Sequence, residues 1–293
     1  MIKGSYVALV TPFKNNEIDY NAFELLLDFH IENKTDGILL CGTTGESPAL
    51  AGDEKERFIR FGIARCKGKI PVMVGTGTNN LSHTLAATER AQSWGADSAL
   101  VITPYYNKPN QTGLYHYFKA VSDHTDIPLI IYNVPGRTGV NISSETLLKL
   151  AEECSSIIGI KEASGDLTKI SRIVRDADED FSVLSGEDDL NYAVLCSGGK
   201  GVISVTANIV PAEIRQLVSL CEQHKYTDAL QIHLELLELN SALFIETNPI
   251  PVKAALHMMG KITDEIRLPL FHLNDKNLSV LQKTLSKYNL IKD

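Results

Sequence analysis

The 293-residue sequence is poor in the features that mark specialised protein classes. Its five cysteines, Cys41, Cys66, Cys154, Cys196 and Cys221, are odd in number, widely spread and contain no C-x-x-C, so neither a disulfide framework nor a zinc site is signalled. The eight histidines show no H-E-x-x-H or comparable ligand spacing, and no metal is expected. Cations are in the minority. Lys and Arg number 28 against 36 Asp and Glu, and a formal charge of −8 provides no chain-wide field to attract nucleic acid or anionic lipid. No apolar run approaches the ~18 residues that span a bilayer. Residues 1–5 also lack the basic region, apolar core and cleavage site of a secretory leader, so a cytoplasmic protein without membrane or nucleic-acid partners is expected. At 44% hydrophobic and 22% charged, the composition is that of an ordinary globular chain, which excludes disorder, collagen and coiled coil.

What the sequence does contain is alternation. Eight short β-branched runs, at 6–10, 37–41, 71–75, 99–102, 128–132, 157–160, 181–184 and 201–205, are bounded by Gly, Pro, Ser, Thr or Asn and are too short for helices. Amphipathic stretches at 21–33, 53–66, 81–94, 112–124, 143–153 and 166–176 lie between them, with Ser82, Ser143 and Asp166 as candidate N-caps. Near-continuously apolar strands, each followed by a helix, predict an α/β fold: a (β/α)8 TIM barrel whose strands are covered on both faces. The competing doubly wound sheet lacks its fingerprint. The stretch from Gly75 through Gly77 to Asn80 has no third glycine and follows the third run instead of the first, and the stretch from Gly42 to Ser47 lacks the Lys-Ser/Thr ending of a phosphate loop. Beyond about Gln223 the pattern turns helical, at 226–246, 251–259 and 274–288, so residues 1–223 read as the catalytic barrel and 224–293 as a C-terminal helical extension.

Active sites of such barrels are built at the C-terminal ends of the strands. Lys161 follows the sixth run directly, where an ammonium is costly. Burial would lower its pKa and yield a neutral amine able to form a Schiff base with a ketone, whereas the bland alternative is a lysine paired with a carboxylate or reaching solvent. Tyr132 ends the adjacent run and offers a phenol for proton transfer, or simply a ring that packs the barrel end. Thr43 and Thr44 can relay protons or bind a carboxylate, although threonines beside glycine are also ordinary turn formers. Arg137, in a glycine-bracketed loop, suits a substrate carboxylate or plain solvation. Tyr106 alone reads as an interface or core aromatic, and Glu46 and Glu162 are either site residues or structural ion-pair partners.

The segment from Gly42 to Ser47 (GTTGES), that from Tyr132 to Gly139 (YNVPGRTG) and that from Gly159 to Gly165 (GIKEASG) together strongly resemble the dihydrodipicolinate synthase family, within the pyruvate-dependent class I aldolases that include N-acetylneuraminate lyase. The likeness extends over essentially the whole chain, through Gly201–Val205 and the run from Asn248 to Lys253. Lysine and GTTGE-like loop are shared across the superfamily. Arg137 in its NVPGRTG context points more narrowly to the synthases.

The resemblance implies a lyase of lysine and diaminopimelate biosynthesis that condenses pyruvate with aspartate β-semialdehyde, with no cofactor beyond the substrate imine on Lys161. It implies Tyr132, Thr43 and Tyr106 as a proton relay, Tyr106 arriving from a neighbouring subunit of a homodimer or homotetramer. Thr44 and the backbone near Ile203 would hold the pyruvate carboxylate, Gly186 would lie in the same pocket, and Arg137 would bind the semialdehyde carboxylate. Lysine-inhibited relatives tend to carry histidine or acidic residues where this chain has Gly52, Lys55 and His83, while Ser47, Asn79 and Tyr105 are kept; weak or absent inhibition by lysine is therefore expected. Two alternatives stay open: another pyruvate-dependent aldolase, cleaving N-acetylneuraminate or a 2-keto-3-deoxy sugar acid, and a barrel that binds a keto acid without turnover.

Overall fold

The computed structural model describes residues 1–292. In chain order the strands are β1 (Gly4–Ala8), a small hairpin of β2 (Phe13–Lys14) and β3 (Glu17–Ile18), then β4 (Gly37–Leu40), β5 (Val72–Gly75), β6 (Ser98–Ile102), β7 (Leu129–Asn133), β8 (Ile157–Glu162), β9 (Ser182–Ser185) and β10 (Gly201–Ser204). All but the hairpin pair in parallel, in the order β1, β10, β9, β8, β7, β6, β5, β4, and β4 returns to β1 to close a (β/α)8 barrel. Each of the eight expected runs falls on a barrel strand, its ends within two residues. The ends move because ladder pairing, not residue type, sets them. Lys161 and Glu162 pair with Leu184 and Ser185, so Lys161 lies inside its strand instead of after it.

Local caps account for where several helices begin. Ser143 and Asp166 accept from the amides of Thr146 and Lys169, as the sequence suggests. At the helix Leu81–Trp94 the cap is Asn80, not Ser82, because the Asn80 carboxamide reaches the His83 amide at 3.0 Å while its own backbone is still extended. The hairpin of β2 and β3 was not anticipated. Asn15 and Asn16 at its turn have φ of 55° and 62°, the left-handed pair that a two-residue hairpin turn of the primed type requires and that asparagine tolerates.

One irregularity decides which way β8 points its side chains. Strict alternation from Ile157, which packs outward against the helices, would send Lys161 outward too. The register slips between Leu129 and Ile130, which face Ile157 and Gly159, leaving Ile158 unmatched. This bulge resets the phase: Ile160 joins Ile157 in the outer layer, while Ala163 joins Tyr132, Leu184 and Ile203 inside the barrel. Lys161 shares that inward parity. Glycine is needed beside the bulge, since a Cβ on Gly159 would lie 2.4 Å from the Ser182 carbonyl oxygen.

The C-terminal helices Tyr226–Leu243, Ile250–Met258 and Asp275–Lys287 do not stand apart from the barrel. Leu239, Leu243, Val252 and Leu281 belong to the same buried apolar cluster as Val7, Val205 and Leu217. The extension also reaches the loops at the C-terminal ends of the strands. Lys253 Nζ meets Glu46 Oε1 at 2.6 Å, both fully covered, and the Glu46 Oε2 accepts from the Arg267 amide. Both cations pack on the ring of Phe13 in β2, with Lys253 Nζ and Arg267 Cζ each 4.3 Å from its centre.

Candidate active site

β7 and β8 place Tyr132 and Lys161 side by side in register, and Lys161 Nζ lies 4.4 Å from the centre of the Tyr132 ring. Lys161 is only 5% exposed. Three lysines are buried among the described residues, and they are treated differently. Lys253 has Glu46 at 2.6 Å and Lys169 has Glu162 at 2.8 Å, whereas Lys161 has no carboxylate within ion-pair distance among the described residues. Burial pushes its pKa down to about 8; the more distant Asp188 and Glu187 resist the shift and the Arg137 guanidinium adds to it. The same burial raises the Tyr132 phenol to about 12, with Arg137 and hydrogen bonding to Thr43 pulling it back. At neutral pH the site thus pairs an amine within reach of its neutral form with a phenol that keeps its proton.

Loops at the strand ends supply the remaining groups. After β4 the chain winds through Cys41 and Glu46, at φ of 55° and 51°, and the Thr11 hydroxyl ties down the Gly45 carbonyl at 2.7 Å. Thr43 faces the cavity and Thr44 is buried behind it, accepting from the Asn248 side-chain amide at 3.0 Å. Arg137, on a short helix after β7, donates to the Asn248 carbonyl at 3.2 Å. Gly186 leaves room for the lysine: a Cβ there would sit 3.0 Å from Lys161 Cε and 2.7 Å from Ala163 Cβ. Ile203 is buried at the inner end of β10. Glu46 and Glu162 are each buried in an ion pair, and Glu162 also receives the Asn133 amide, while Glu46 borders the candidate cavity as well.

Thr43, Tyr132 and Arg137 line a cavity of about 380 Å³ together with Tyr105, Lys55 and Asn248, whereas Lys161, Thr44, Gly186 and Ile203 lie behind its walls. Larger surface hollows, of about 460 and 790 Å³, lie near the opposite strand ends around Pro71 and Ile157 and hold none of the candidate residues. Tyr106 alone among the candidate side chains points away to solvent. Its side chain is 89% exposed, its φ is 70°, and it does not line the cavity that its neighbour Tyr105 lines. Asn248, Asp188 and Glu187 were not singled out from sequence; the only signal was their position at strand ends or in the Asn248–Lys253 segment. Among the described residues no cluster of three or more His, Cys, Asp or Glu side chains is disposed to hold a metal ion, and no helix is long and apolar enough to cross a membrane.

Residues 1–288 match the dihydrodipicolinate synthetase family. The chain belongs to that family. The 4-hydroxy-tetrahydrodipicolinate synthases of Aquifex aeolicus and Thermodesulfovibrio yellowstonii are each 49% identical, over 99% of both chains in the first case and 100% in the second. Among solved structures, the A. aeolicus dihydrodipicolinate synthase superimposes with a TM-score of 0.98 at 48% identity over the whole of both chains. The Cyanidioschyzon merolae member with lysine bound gives 0.96 at 37% identity, over 99% of each chain. The match takes in the barrel and its appended helices together, at 99–100% of these relatives' own length.

The depressed lysine has a measurable consequence for folding. An unfolded chain protonates Lys161 below pH 10.5 and the folded chain only below about 8, so between these values the unfolded state binds more protons and stability rises with pH. Below pH 8 the charged, desolvated amine costs roughly 3 kcal/mol. Lys161→Met is therefore expected to raise the unfolding free energy at pH 7 by about 1–3 kcal/mol, with the gain shrinking toward pH 10. Urea denaturation at the two pH values measures it, and a Lys161→Met protein less stable than the parent at pH 7 would contradict the assignment.

Proposed function

We propose that this chain condenses pyruvate with aspartate β-semialdehyde by way of an imine on Lys161, as a lyase of lysine and diaminopimelate biosynthesis. The observation that carries this reading is the buried lysine left without a carboxylate among the described residues, set against the ring of Tyr132, which lines the cavity. Lowering its pKa from 10.5 to about 8 raises the neutral fraction at pH 7 by about 300-fold. Lys161 Nζ attacks the pyruvate carbonyl carbon, and the resulting carbinolamine loses water to give the iminium. The proton entering the carbinolamine oxygen comes from the Tyr132 phenol, re-supplied through Thr43 and through Tyr106 of a second subunit. The iminium withdraws electrons, so a methyl proton passes to the Tyr132 phenolate left by that transfer and an enamine forms.

The enamine carbon then bonds to the aldehyde carbon, whose oxygen takes its proton from the Tyr132 relay. The amino group of the semialdehyde attacks the iminium carbon, closes the ring and releases Lys161 as the free amine. The electron sink is the substrate's own imine, so the proposal includes no separate cofactor. Thr44 and the backbone at Ile203 hold the pyruvate carboxylate, Gly186 keeps the pocket open beside Lys161, and Arg137 takes the semialdehyde carboxylate. A largely exposed phenol at Tyr106 supports assembly into at least a dimer, with a homotetramer built from such dimers, and a cytoplasmic setting completes the reading. A pocket for a polyhydroxylated sugar acid is disfavoured by Arg137, which projects into the cavity wall.

Borohydride added with pyruvate should leave a stable mass adduct on Lys161, absent from Lys161→Ala, and turnover should follow with aspartate β-semialdehyde and not with sugar-derived aldehydes. No adduct, or a preference for the sugar aldehydes, would overturn the proposal. Lys55 stands half-buried in the outer cavity wall, where it repels an approaching ammonium. Activity is therefore expected to persist at physiological lysine concentrations; its abolition there would refute that role for Lys55.

A further inference from the structure

Asn248 touches both groups assigned to substrate carboxylates. Its side-chain Nδ2 donates to Thr44 Oγ1 at 3.0 Å, and its main-chain carbonyl accepts from Arg137 Nη2 at 3.2 Å. It belongs to the extension, between the helices Tyr226–Leu243 and Ile250–Met258, and is separated from Thr44 by 204 residues. Both side chains are buried, Asn248 at 5% and Thr44 at 2% exposure, and Asn248 Oδ1 has no hydrogen-bond partner among the described residues.

A threonine hydroxyl carries one hydrogen and two lone pairs. By accepting from Asn248, Thr44 keeps its own hydrogen for another acceptor, and no described protein group takes it. The reverse amide orientation would draw the Thr44 hydrogen toward Asn248 and leave a buried N–H unpaired, the more costly of the two orphans. We propose that Asn248 is a positioning residue for the pyruvate carboxylate: its amide donor fixes the Thr44 hydroxyl so that the hydroxyl hydrogen is presented to the substrate. This rests on the pyruvate reading above. It also gives the extension a part in substrate binding beyond packing.

The test uses the full-length protein and follows the pyruvate concentration needed for half-maximal borohydride trapping at Lys161, with no second substrate present. Asn248→Asp keeps a hydrogen-bonding partner for Thr44 but reverses the direction of donation and adds a negative charge, so it is expected to raise that concentration at least tenfold, and by more than Asn248→Ala does. In a Thr44→Val background, Asn248→Ala is expected to add less than a further twofold. The KM for aspartate β-semialdehyde should change less than threefold in Asn248→Ala, because the Arg137 contact is to the main chain. Should Asn248→Asp fail to fold by circular dichroism, the comparison of Asn248→Ala in the two backgrounds carries the test. Unchanged pyruvate saturation in Asn248→Ala, or an undiminished loss in the Thr44→Val background, overturns the inference while the wild-type adduct still forms. Absence of that adduct overturns the pyruvate reading itself.

Discussion

An ammonium group held inside a barrel, away from water and without a counter-ion in contact, is the constraint around which the site is arranged. The cost falls on the charged form alone, so the protein shifts the protonation equilibrium instead of neutralising the charge with a carboxylate. The surroundings maintain that balance. Asp188, whose Oδ2 is engaged by the amides of Val205 and Thr206 at 2.8 and 3.0 Å, is held off the lysine yet acts through space to limit the shift. The bulge at Ile158 turns the side chain inward, and Gly186 leaves the volume it occupies. Paired as Lys253 and Lys169 are, the same amine would be a structural cation with little nucleophilic character.

Much of this was legible from sequence because it is local. Short β-branched runs between breakers located every barrel strand, and the rule that barrel chemistry sits at strand ends singled out Lys161, Tyr132, Thr43 and Arg137 as candidates, their roles coming from the family resemblance. What was not legible depends on contacts between distant residues. The partner of Glu46 lies 207 residues away, and that of Thr44 lies 204 away, so no spacing announces either. The direction of Lys161 depended on one unmatched residue in β8, which period-2 reasoning cannot detect when both faces of a strand are apolar. Asn80 displaced Ser82 as a helix cap for a similar reason: both are good caps, and only the backbone path chooses between them.

The same long-range contacts change the meaning of the C-terminal segment and of the chain's acidity. A formal charge of −8 opposes two carboxylate-bearing substrates, and the site answers with few, well-placed groups instead of a broad cationic surface. Arg137 supplies one charge at the cavity wall and Thr44 supplies a hydroxyl, and the extension, through Asn248, holds both. Buried pairing of Lys253 with Glu46, supported by Arg267, anchors that segment over the loop that carries the two threonines. On the proposed reading, substrate recognition is built partly from residues outside the eight βα units.

The titration of Lys161 in the resting enzyme decides whether burial does what is claimed for it. Lysine labelled with 13C at Cε and followed by NMR, with the resonance assigned by its loss in Lys161→Met, reports that equilibrium directly. A midpoint near 8 is the predicted result. A midpoint at or above the ordinary lysine value of 10.5 would mean that the amine is charged and solvated in the folded protein, and would contradict the account.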